Sequence, residues 1–309
     1  MATHRLEPNR WWNTIGPHAP ALRVADGDTV VAQTLDAAGG DRDGVDQAGS
    51  PNPMSGPVYV EGAEPGDALH VTIEALVPTR DNGWGRNTLA HNVVEPEAVL
   101  AMPERVKVHW GVDREAGLVR LRAPFAGGEL ALPLEPMVGC FGVAPELGQA
   151  ISTATSGAHG GNMDWRGFKP GASVAFPVSE PGALFFLGDG HARQGDGEIT
   201  GTGVETSFEM TVTLRVQKGR TIAWPRGEDA RGIFTVGNAR PLDQALQHAA
   251  TEMLARLWEE YGLDRAAASI LIGMAVELDV ANMFNPAYSV VCRLPHDVLP
   301  PRVDQPPRG

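Results

Sequence analysis

A glycine-rich stretch in the middle of the chain carries an unusual density of titratable side chains. It reads GDGHARQGDGEITGTGVE over residues 188–205, and its first eleven positions contain Asp189, His191, Asp196 and Glu198. This close spacing, interrupted by glycine, fits neither an ordinary helix nor a plain strand face, so we expect a loop. A solvated acidic loop is the simplest interpretation. Convergence of these groups on one ion is the functional one.

A second group of similar composition precedes it, in the sequence SGAHGGNMDW over residues 156–165. His159 and Asp164 stand on either side of a glycine pair, with Asn162 between them. Glycine beside a histidine permits close approach of a ligand to the backbone. Two histidines and several carboxylates on glycine-rich segments are the side chains that suit zinc or another divalent cation.

The elements that must position these groups are mostly short strands. The chain has 37 glycines and 25 prolines, which divide it into short segments and favour strands over long helices. Segment 207–219 places Phe208, Met210 and Val212 on one face at period two, as a half-buried strand does. Further strands are expected within residues 28–37, 67–77 and 115–125. The pattern predicts a mainly β fold, a sandwich or a barrel.

The C-terminal part follows a different pattern. Residues 241–261 carry an apolar stripe at helical spacing, with Pro241 suited to the first turn and Gly262 to the stop. We expect a second helix over 266–281, a final strand over 288–294 and a frayed, proline-rich tail over 300–309. The predicted division is a β-sandwich-like catalytic part, residues 1–235, and an α+β part, residues 236–309, packed on it.

Composition excludes several classes of function. The 25 Lys and Arg residues are outnumbered by 38 Asp and Glu residues, giving a net charge of −13 that argues against nucleic-acid binding. Cys140 and Cys292 cannot build a disulfide framework, which favours a reducing compartment. The sequence MATHRLEPNRWWNTIG at the N-terminus has no apolar signal region, and no apolar run is long enough to span a bilayer. We therefore expect a cytoplasmic protein without a membrane partner.

Five segments resemble the acetamidase/formamidase family. GDGHARQGDGE and HGGNMD are the most specific motifs, and the resemblance runs in order from Pro20 to Leu294. The segments are residues 52–67, 140–146, 156–164, 181–207 and 236–253. The resemblance implies a mainly β architecture, a β-sandwich or jelly-roll-like core with a smaller α+β part toward the C-terminus. It also implies hydrolysis of a small neutral amide such as acetamide or formamide to carboxylate and ammonia, zinc as the ion with calcium as the alternative, and a homo-oligomer, in the simplest case a dimer.

Amide hydrolysis requires an activated water, a group that holds the developing oxyanion and an acid for the nitrogen. We expect the metal ligands, or groups in direct contact with them, to come from His159, Asp164, Asp189, His191 and Asp36. Glu198 is the predicted general base, with Asp196 as the second choice and Glu205 in support. Asn162, or the backbone amides of residues 160–161, is predicted to bind the oxyanion.

Other interpretations stay open at this point. The chain has three lysines, none near Cys140, which argues against a Cys-Glu-Lys nucleophile set. A serine nucleophile at Ser152 or Ser156 is not excluded by the sequence. A calcium-binding β-sandwich module is the main non-enzymatic alternative, although histidine is a poor calcium ligand. A hydrolase of another small carbonyl compound is the third hypothesis.

Overall fold

A computed structural model describes residues 1–303, and strands dominate it. In chain order the strands are β1 (Thr3–Leu6), β2 (Thr14–Ile15), β3 (Leu22–Val24), β4 (Thr29–Gln33), β5 (Ser55–Val60), β6 (Ala68–Pro78), β7 (Asn82–Arg86), β8 (Lys107–Asp113), β9 (Leu118–Leu121), β10 (Ala131–Pro133), β11 (Met137–Gly142), β12 (Ile151–Ser152), β13 (Ser156–Gly157), β14 (Gly160–Asn162), β15 (Ser173–Pro177), β16 (Phe185–His191), β17 (Phe208–Gln217), β18 (Arg226–Asp229), β19 (Gly232–Ala239), β20 (Glu277–Asn282) and β21 (Tyr288–Pro295). The helices are α1 (Pro96–Val99), α2 (Leu242–Tyr261) and α3 (Arg265–Ala275). Of the proline-rich tail, residues 304–309 lie outside the described part.

Two large sheets share one hydrophobic core. The first has nine strands in the order β1-β4-β17-β6-β15-β18-β19-β21-β20, and the second has six in the order β13-β14-β11-β16-β5-β3. Buried side chains from both, such as Val71 and Val212 from the first and Val58 and Phe141 from the second, belong to the same cluster. The mainly β prediction with a sandwich-like core is therefore confirmed. A four-stranded sheet, β10-β9-β8-β7, and the β12-β2 pair complete the architecture.

The alternation of buried and more exposed side chains along β17 explains its position inside the larger sheet. Phe208, Met210, Val212 and Leu214 of β17 are buried, and the residues between them are more exposed. β17 lies between β4 and β6 and pairs antiparallel with both. Burial of one apolar face is what fixes this register, because a shift by one residue would turn that face toward solvent.

The C-terminal helix follows its sequence signals. α2 starts directly after Pro241 and ends at Gly262, whose φ of 67° is the left-handed conformation that glycine adopts most easily. Its buried face, which includes Met253 and Leu257, packs with Ile233 and Leu294 of the sheet. This part of the prediction is confirmed.

The second helix is shorter than predicted. α3 ends at Ala275, and residues 277–282 form the edge strand β20 beside β21. The prediction of helix through residue 281 is wrong because pairing with β21 satisfies the backbone groups of this segment more completely than a helix end would.

The domain boundary predicted at residue 235 falls inside β19, whose neighbours β18 and β21 come from either side of it. The division into two parts stays a prediction.

Both cysteines are free and buried, Cys140 on β11 and Cys292 on β21. The structure therefore agrees with the absence of a disulfide framework.

Among the described residues, no helix combines the length and the apolar character that crossing a bilayer requires.

Candidate active site

The glycine-rich stretch begins as a strand and not as a loop. Asp189 and His191 lie on β16, whose residues 190 and 191 pair with Val138 and Met137 of β11. The loop expectation is wrong here because backbone pairing continues through an irregularity at Asp189, which has a φ of 54°. The strand thus delivers both side chains from a well-anchored backbone.

A glycine on the neighbouring strand makes room for two carboxylates. A Cβ atom at Gly139 would lie 2.6 Å from Asp164 Oδ1 and 2.7 Å from Asp189 Oδ2. Any side chain at position 139 would therefore push these carboxylates apart. Nothing in the local sequence around Gly139 indicates this role.

Five buried titratable side chains converge at this point, and we call them the acidic centre: Asp164, Asp189, His191, Glu198 and Glu205. They form two overlapping groups, Asp164-Asp189-His191 and His191-Glu198-Glu205, in each of which one ligand atom per residue lies within 4.8 Å of the others. All five are at most 7% exposed. The sequence singles out four of them as a ligand or a base, and Glu205 as a supporting group.

The orientation of His191 is set by Gln194. The Gln194 Nε2 donates to the backbone oxygen of Asp164 at 2.5 Å, which leaves its Oε1 to accept from His191 Nδ1 at 2.8 Å. In the neutral imidazole the other nitrogen, Nε2, then carries the lone pair. It faces Glu205 Oε1 at 3.2 Å and Asp189 Oδ1 at 3.4 Å. A lone pair and two carboxylates facing one another require a positive charge between them, either a proton or a bound cation.

Burial and mutual repulsion disturb the ionisation of the acidic centre. Burial and then the neighbouring Asp189 charge raise the pKa of Asp164 well above its usual value. Burial and the Asp164 charge do the same for the pKa of Glu198, and burial raises the pKa of Glu205 to about 7. Burial lowers the pKa of His191, but the Glu205 and Asp189 carboxylates outweigh it and raise that pKa well above its usual value. The centre as a whole is short of positive charge.

Three asparagines hold the carboxylates in place. Asn282 Nδ2 donates to Glu198 Oε2 at 2.6 Å and to Asp164 Oδ2 at 3.0 Å. Asn285 Nδ2 donates to the same Asp164 oxygen at 2.7 Å, and Asn52 Nδ2 donates to Asp189 Oδ2 at 2.9 Å. None of the three asparagines is predicted as a site residue from the sequence. Asn52 does begin one of the segments that resemble the family, but Asn282 and Asn285 carry no local signal.

The free atoms of the acidic centre match a cation site. Within residues 1–303, the buried atoms Asp164 Oδ1, Asp189 Oδ1, His191 Nε2 and Glu205 Oε2 have no hydrogen-bond partner. The second oxygen of Asp164 and of Asp189 is fixed by an asparagine, so one oxygen of each is left to point at an ion. One imidazole nitrogen with several carboxylate oxygens is a donor set that fits a divalent metal.

Two predicted ligands lie apart from this group. His159 is buried on the turn between β13 and β14, where burial lowers the pKa of its imidazole to about 4. Asp36 accepts from Arg80 Nη2 at 2.5 Å and from the backbone amides of Ala38 and Gly40. Its oxygens are thus engaged by donors, and neither residue belongs to the groups that the structure brings together.

The other two predicted catalytic residues differ in their surroundings. Asp196 is an exposed carboxylate that pairs with Arg166 at 2.6 Å and lies outside both groups. Asn162 lines the cleft that leads to Glu198, and its buried Oδ1 has no partner in the described part of the chain.

That cleft has a volume of about 350 Å³, and Asp189, Glu198 and Glu205 of the acidic centre line it. Its walls include Trp84 and Phe284, together with Asn52, Asn162 and Asn285. Trp165 and Phe168, which the sequence offered as candidates for a pocket wall or for the core, pack in the core. The cleft has room for a small molecule beside Glu198.

Comparison with known proteins identifies the family of the chain. The model of the "Acetamidase/Formamidase family" matches residues 2–147 and 114–299, nearly the whole chain. The chain belongs to this family. The resemblance stated from the motifs is therefore confirmed.

Individual members are similar at moderate identity. The chain is 26% identical over 264 residues to a formamidase of Methylophilus methylotrophus, covering 68% of this chain and 63% of that protein. It is 30% identical over 243 residues to an acetamidase of Mycolicibacterium smegmatis, covering 61% of this chain and 59% of that protein. The chain thus spans about three fifths of the length of these curated relatives.

A solved family structure matches over a larger share of its length. The crystal structure of an acetamidase from Yersinia enterocolitica superimposes with a TM-score of 0.83 at 30% identity, covering 96% of this chain and 93% of that chain. The arrangement of sheets described above is therefore the fold of this family.

Proposed function

We propose that this protein hydrolyses short aliphatic amides, with acetamide and formamide as the simplest substrates, to the carboxylate and ammonia. The observation that carries the proposal is the acidic centre: five buried titratable groups, short of positive charge, at the base of a small cleft. Membership of the acetamidase/formamidase family supports the same reaction, as do the formamidase and acetamidase names of the two relatives.

The metal of this proposal is zinc, held by Asp164, Asp189 and His191. These residues supply three of the unpartnered buried atoms, and Gln194 leaves the Nε2 lone pair of His191 available. When bound, zinc supplies Lewis-acid activation of water and of the amide carbonyl. Calcium suits the centre less well, because it prefers a shell of oxygen ligands and the imidazole of His191 belongs to both groups.

Glu198 is the general base of this proposal. Its carboxylate lines the cleft, and the hydrogen bond from Asn282 fixes Oε2 so that the other oxygen is left to act on water. Burial and the Asp164 charge raise the pKa of Glu198, which makes the side chain a stronger base than a solvated glutamate. Glu198 takes the proton of the attacking water and delivers it to the leaving nitrogen. This protonation is needed because the nitrogen departs as neutral ammonia and not as the amide anion.

Asn162 positions the amide. Its side chain lines the cleft, and its backbone oxygen accepts from Asn285 Nδ2 at 3.0 Å, so the residue is held from behind. A side-chain amide can donate to a developing oxyanion, and one such donor typically contributes about 3–4 kcal/mol to the barrier reduction.

The proposal is tested by ammonia release from acetamide and formamide, measured on the purified protein, on the chelated protein and after zinc is restored. We expect release that disappears on chelation and returns with zinc, with the metal content measured on the same samples. Release that survives complete removal of metal would overturn the zinc role. Absence of release from zinc-loaded protein would overturn the amidase assignment for these substrates.

Two further parts of the proposal concern the protein as a whole. A cytoplasmic location is supported by the two free, buried thiols, which a reducing compartment preserves.

A homodimer is supported by three exposed apolar side chains along α3 and β20, Ile270, Met274 and Leu278. Sedimentation of the protein with Met274→Glu against wild type tests the second point. An unchanged oligomeric state would remove this surface from the proposal.

A further inference from the structure

Three cations gather at the mouth of the cleft, and we call them the cationic rim: Arg86, Arg105 and Lys107. Arg86 and Arg105 line the same cleft as Glu198 and Glu205. The Lys107 ammonium lies 3.9 Å from the ring centroid of Trp84, which is a wall of that cleft. The Arg105 guanidinium lies 5.1 Å from the ring centroid of Phe284, on another wall. Arg86 and Arg105 therefore border the cleft, and Lys107 contacts one of its walls.

The position of the cationic rim lowers the stability of the sheet that carries it. Arg86 of β7 and Lys107 of β8 are direct partners in the antiparallel register. Like charges in that position destabilise a sheet. Burial and the Arg86 charge both lower the pKa of Arg105, so the two guanidinium groups lie close enough to repel each other.

None of the three cations forms a direct ion pair with a carboxylate in the described part of the chain. Within residues 1–303, no carboxylate lies within 4.0 Å of Arg86, Arg105 or Lys107, although most of the arginines form such a pair. The chain has 38 acidic residues and a net charge of −13, so carboxylates are not scarce. Arg86 and Arg105 combine this lack of an ion pair with a position on the wall of the cleft, so their guanidinium groups are free to bind an anionic group that enters it.

We infer that the cationic rim binds a carboxylate carried by the substrate, so that the preferred substrates are monoamides of short dicarboxylic acids. This inference rests on the proposed amidase function. A guanidinium presents a fork of donors that matches a carboxylate, and stacking on an aromatic ring holds the fork in place. The rim takes the carboxylate end, and the amide end reaches Glu198 and Asn162 deeper in the cleft.

A different role for the cationic rim, compensation of the negative charge of the acidic centre, predicts a different result. Arg105 lies near enough to Glu198 for that carboxylate to raise its pKa, against the effects of burial and Arg86. If the rim only compensated the acidic centre, removing a cation would impair neutral and anionic amides alike. Recognition of a carboxylate instead impairs the anionic substrate more.

The test compares each monoamide anion with its neutral diamide of nearly the same shape. The zinc-loaded protein is assayed with malonamate against malonamide and with succinamate against succinamide, and kcat/KM is measured for each. We expect the better of the two anions to exceed its diamide by about tenfold, the effect of one charge-assisted hydrogen bond pair. High salt should reduce the advantage, because exposed charges are screened.

Arg105→Gln and Arg86→Gln then test the residues themselves. We expect each to reduce the ratio of kcat/KM for anion to diamide by about tenfold. Arg122→Gln is the matched control, since Arg122 is an arginine that lines a different groove. Its ratio should equal that of the wild type.

The outcomes separate this inference from the proposed function. Two results would overturn the carboxylate site and leave the amidase assignment standing. The first is hydrolysis of acetamide with no preference for malonamate or succinamate over the diamides. The second is an equal loss of activity toward the anions and the diamides in the rim variants. Absence of hydrolysis of every amide, acetamide included, would overturn both.

Discussion

Two clusters of charge in this protein, the first partly buried and the second buried, are built in opposite ways. The first, which we call the paired network, lies where α2 meets the sheet and consists of Arg226, Arg256, Glu252, Glu259 and Glu260. Arg226 contacts Glu252 at 3.3 Å and Glu259 at 2.9 Å, and Arg256 contacts Glu260 at 3.1 Å. The second is the acidic centre, where four carboxylates surround one imidazole.

The difference separates a structural cluster from the candidate functional one. In the paired network each buried arginine has carboxylate partners in the chain, and Arg256 also donates to backbone oxygens. In the acidic centre several buried atoms face one another without partners within residues 1–303. Because an unpaired charge in a low-dielectric interior is costly, the second arrangement needs an added positive charge, a proton or a cation, whereas the arginines of the first supply positive charge from within the chain. Four predictions test this contrast, in decreasing order of expected effect.

Glu198→Gln should lower kcat for acetamide by about 10²- to 10⁴-fold, the usual contribution of a general base. Zinc content should persist, because the ligands proposed here are other residues. Ammonia release and metal analysis on one sample check both points. The control is Asp196→Asn, whose carboxylate is exposed and paired with Arg166, and which should keep activity near wild type. Full activity in Glu198→Gln would remove Glu198 as the base.

Arg256→Ala should lower the free energy of unfolding by about 3–5 kcal/mol, because it removes a buried side chain, its ion pair with Glu260 and its hydrogen bonds to the buried backbone oxygens of Gly227 and Phe234. Urea denaturation measures this change. Arg231→Ala removes an exposed pair with Glu277 and should cost at most about 1 kcal/mol. Similar losses in the two variants would mean that the paired network is not the structural element described here.

Zinc should stabilise the wild type more than a variant of the acidic centre. At a free concentration of about 100 times its Kd, zinc should raise the free energy of unfolding by about 2.7 kcal/mol. Asp189→Asn should lose most of this gain, whereas Arg256→Ala should keep it. Denaturation curves with and without zinc for all three proteins give the comparison. Equal stabilisation of Asp189→Asn and wild type would place the metal elsewhere.

Gln194→Leu should weaken zinc binding by about 10- to 100-fold, since it removes the acceptor that fixes the His191 tautomer. Competition with a chelator of known affinity measures the Kd. Gln149→Leu, at an exposed glutamine, is the matched control. An unchanged Kd in Gln194→Leu would show that the imidazole needs no such support.

The sequence could indicate most of the site residues because their types are unusual together. Asp164, Asp189, His191 and Glu198 stand in two glycine-rich segments, and the composition of these segments is enough to indicate an ion site. Amphipathic patterns also located β17 and α2 correctly, because their periodicity depends only on neighbouring residues.

Distant pairings explain why other residues were missed or placed elsewhere. Asn282 reaches Asp164 across 118 positions and Asn52 reaches Asp189 across 137, and no local pattern reports such a contact. Asp36 looks like a ligand in sequence, but Arg80, 44 positions away, holds its carboxylate. The helix predicted through residue 281 failed for the same reason, since its last residues pair with β21.

The sequence by itself determined the kinds of group available, the strand-rich architecture and the family, because these depend on composition, periodicity and contiguous motifs. Only the tertiary structure decided which groups share the candidate ion site and which do not. That choice depends on sheet register, on the space left by Gly139 and on side-chain amides brought from the far end of the chain. Each of these is a contact between distant segments, and such contacts exist only once the sheets have packed.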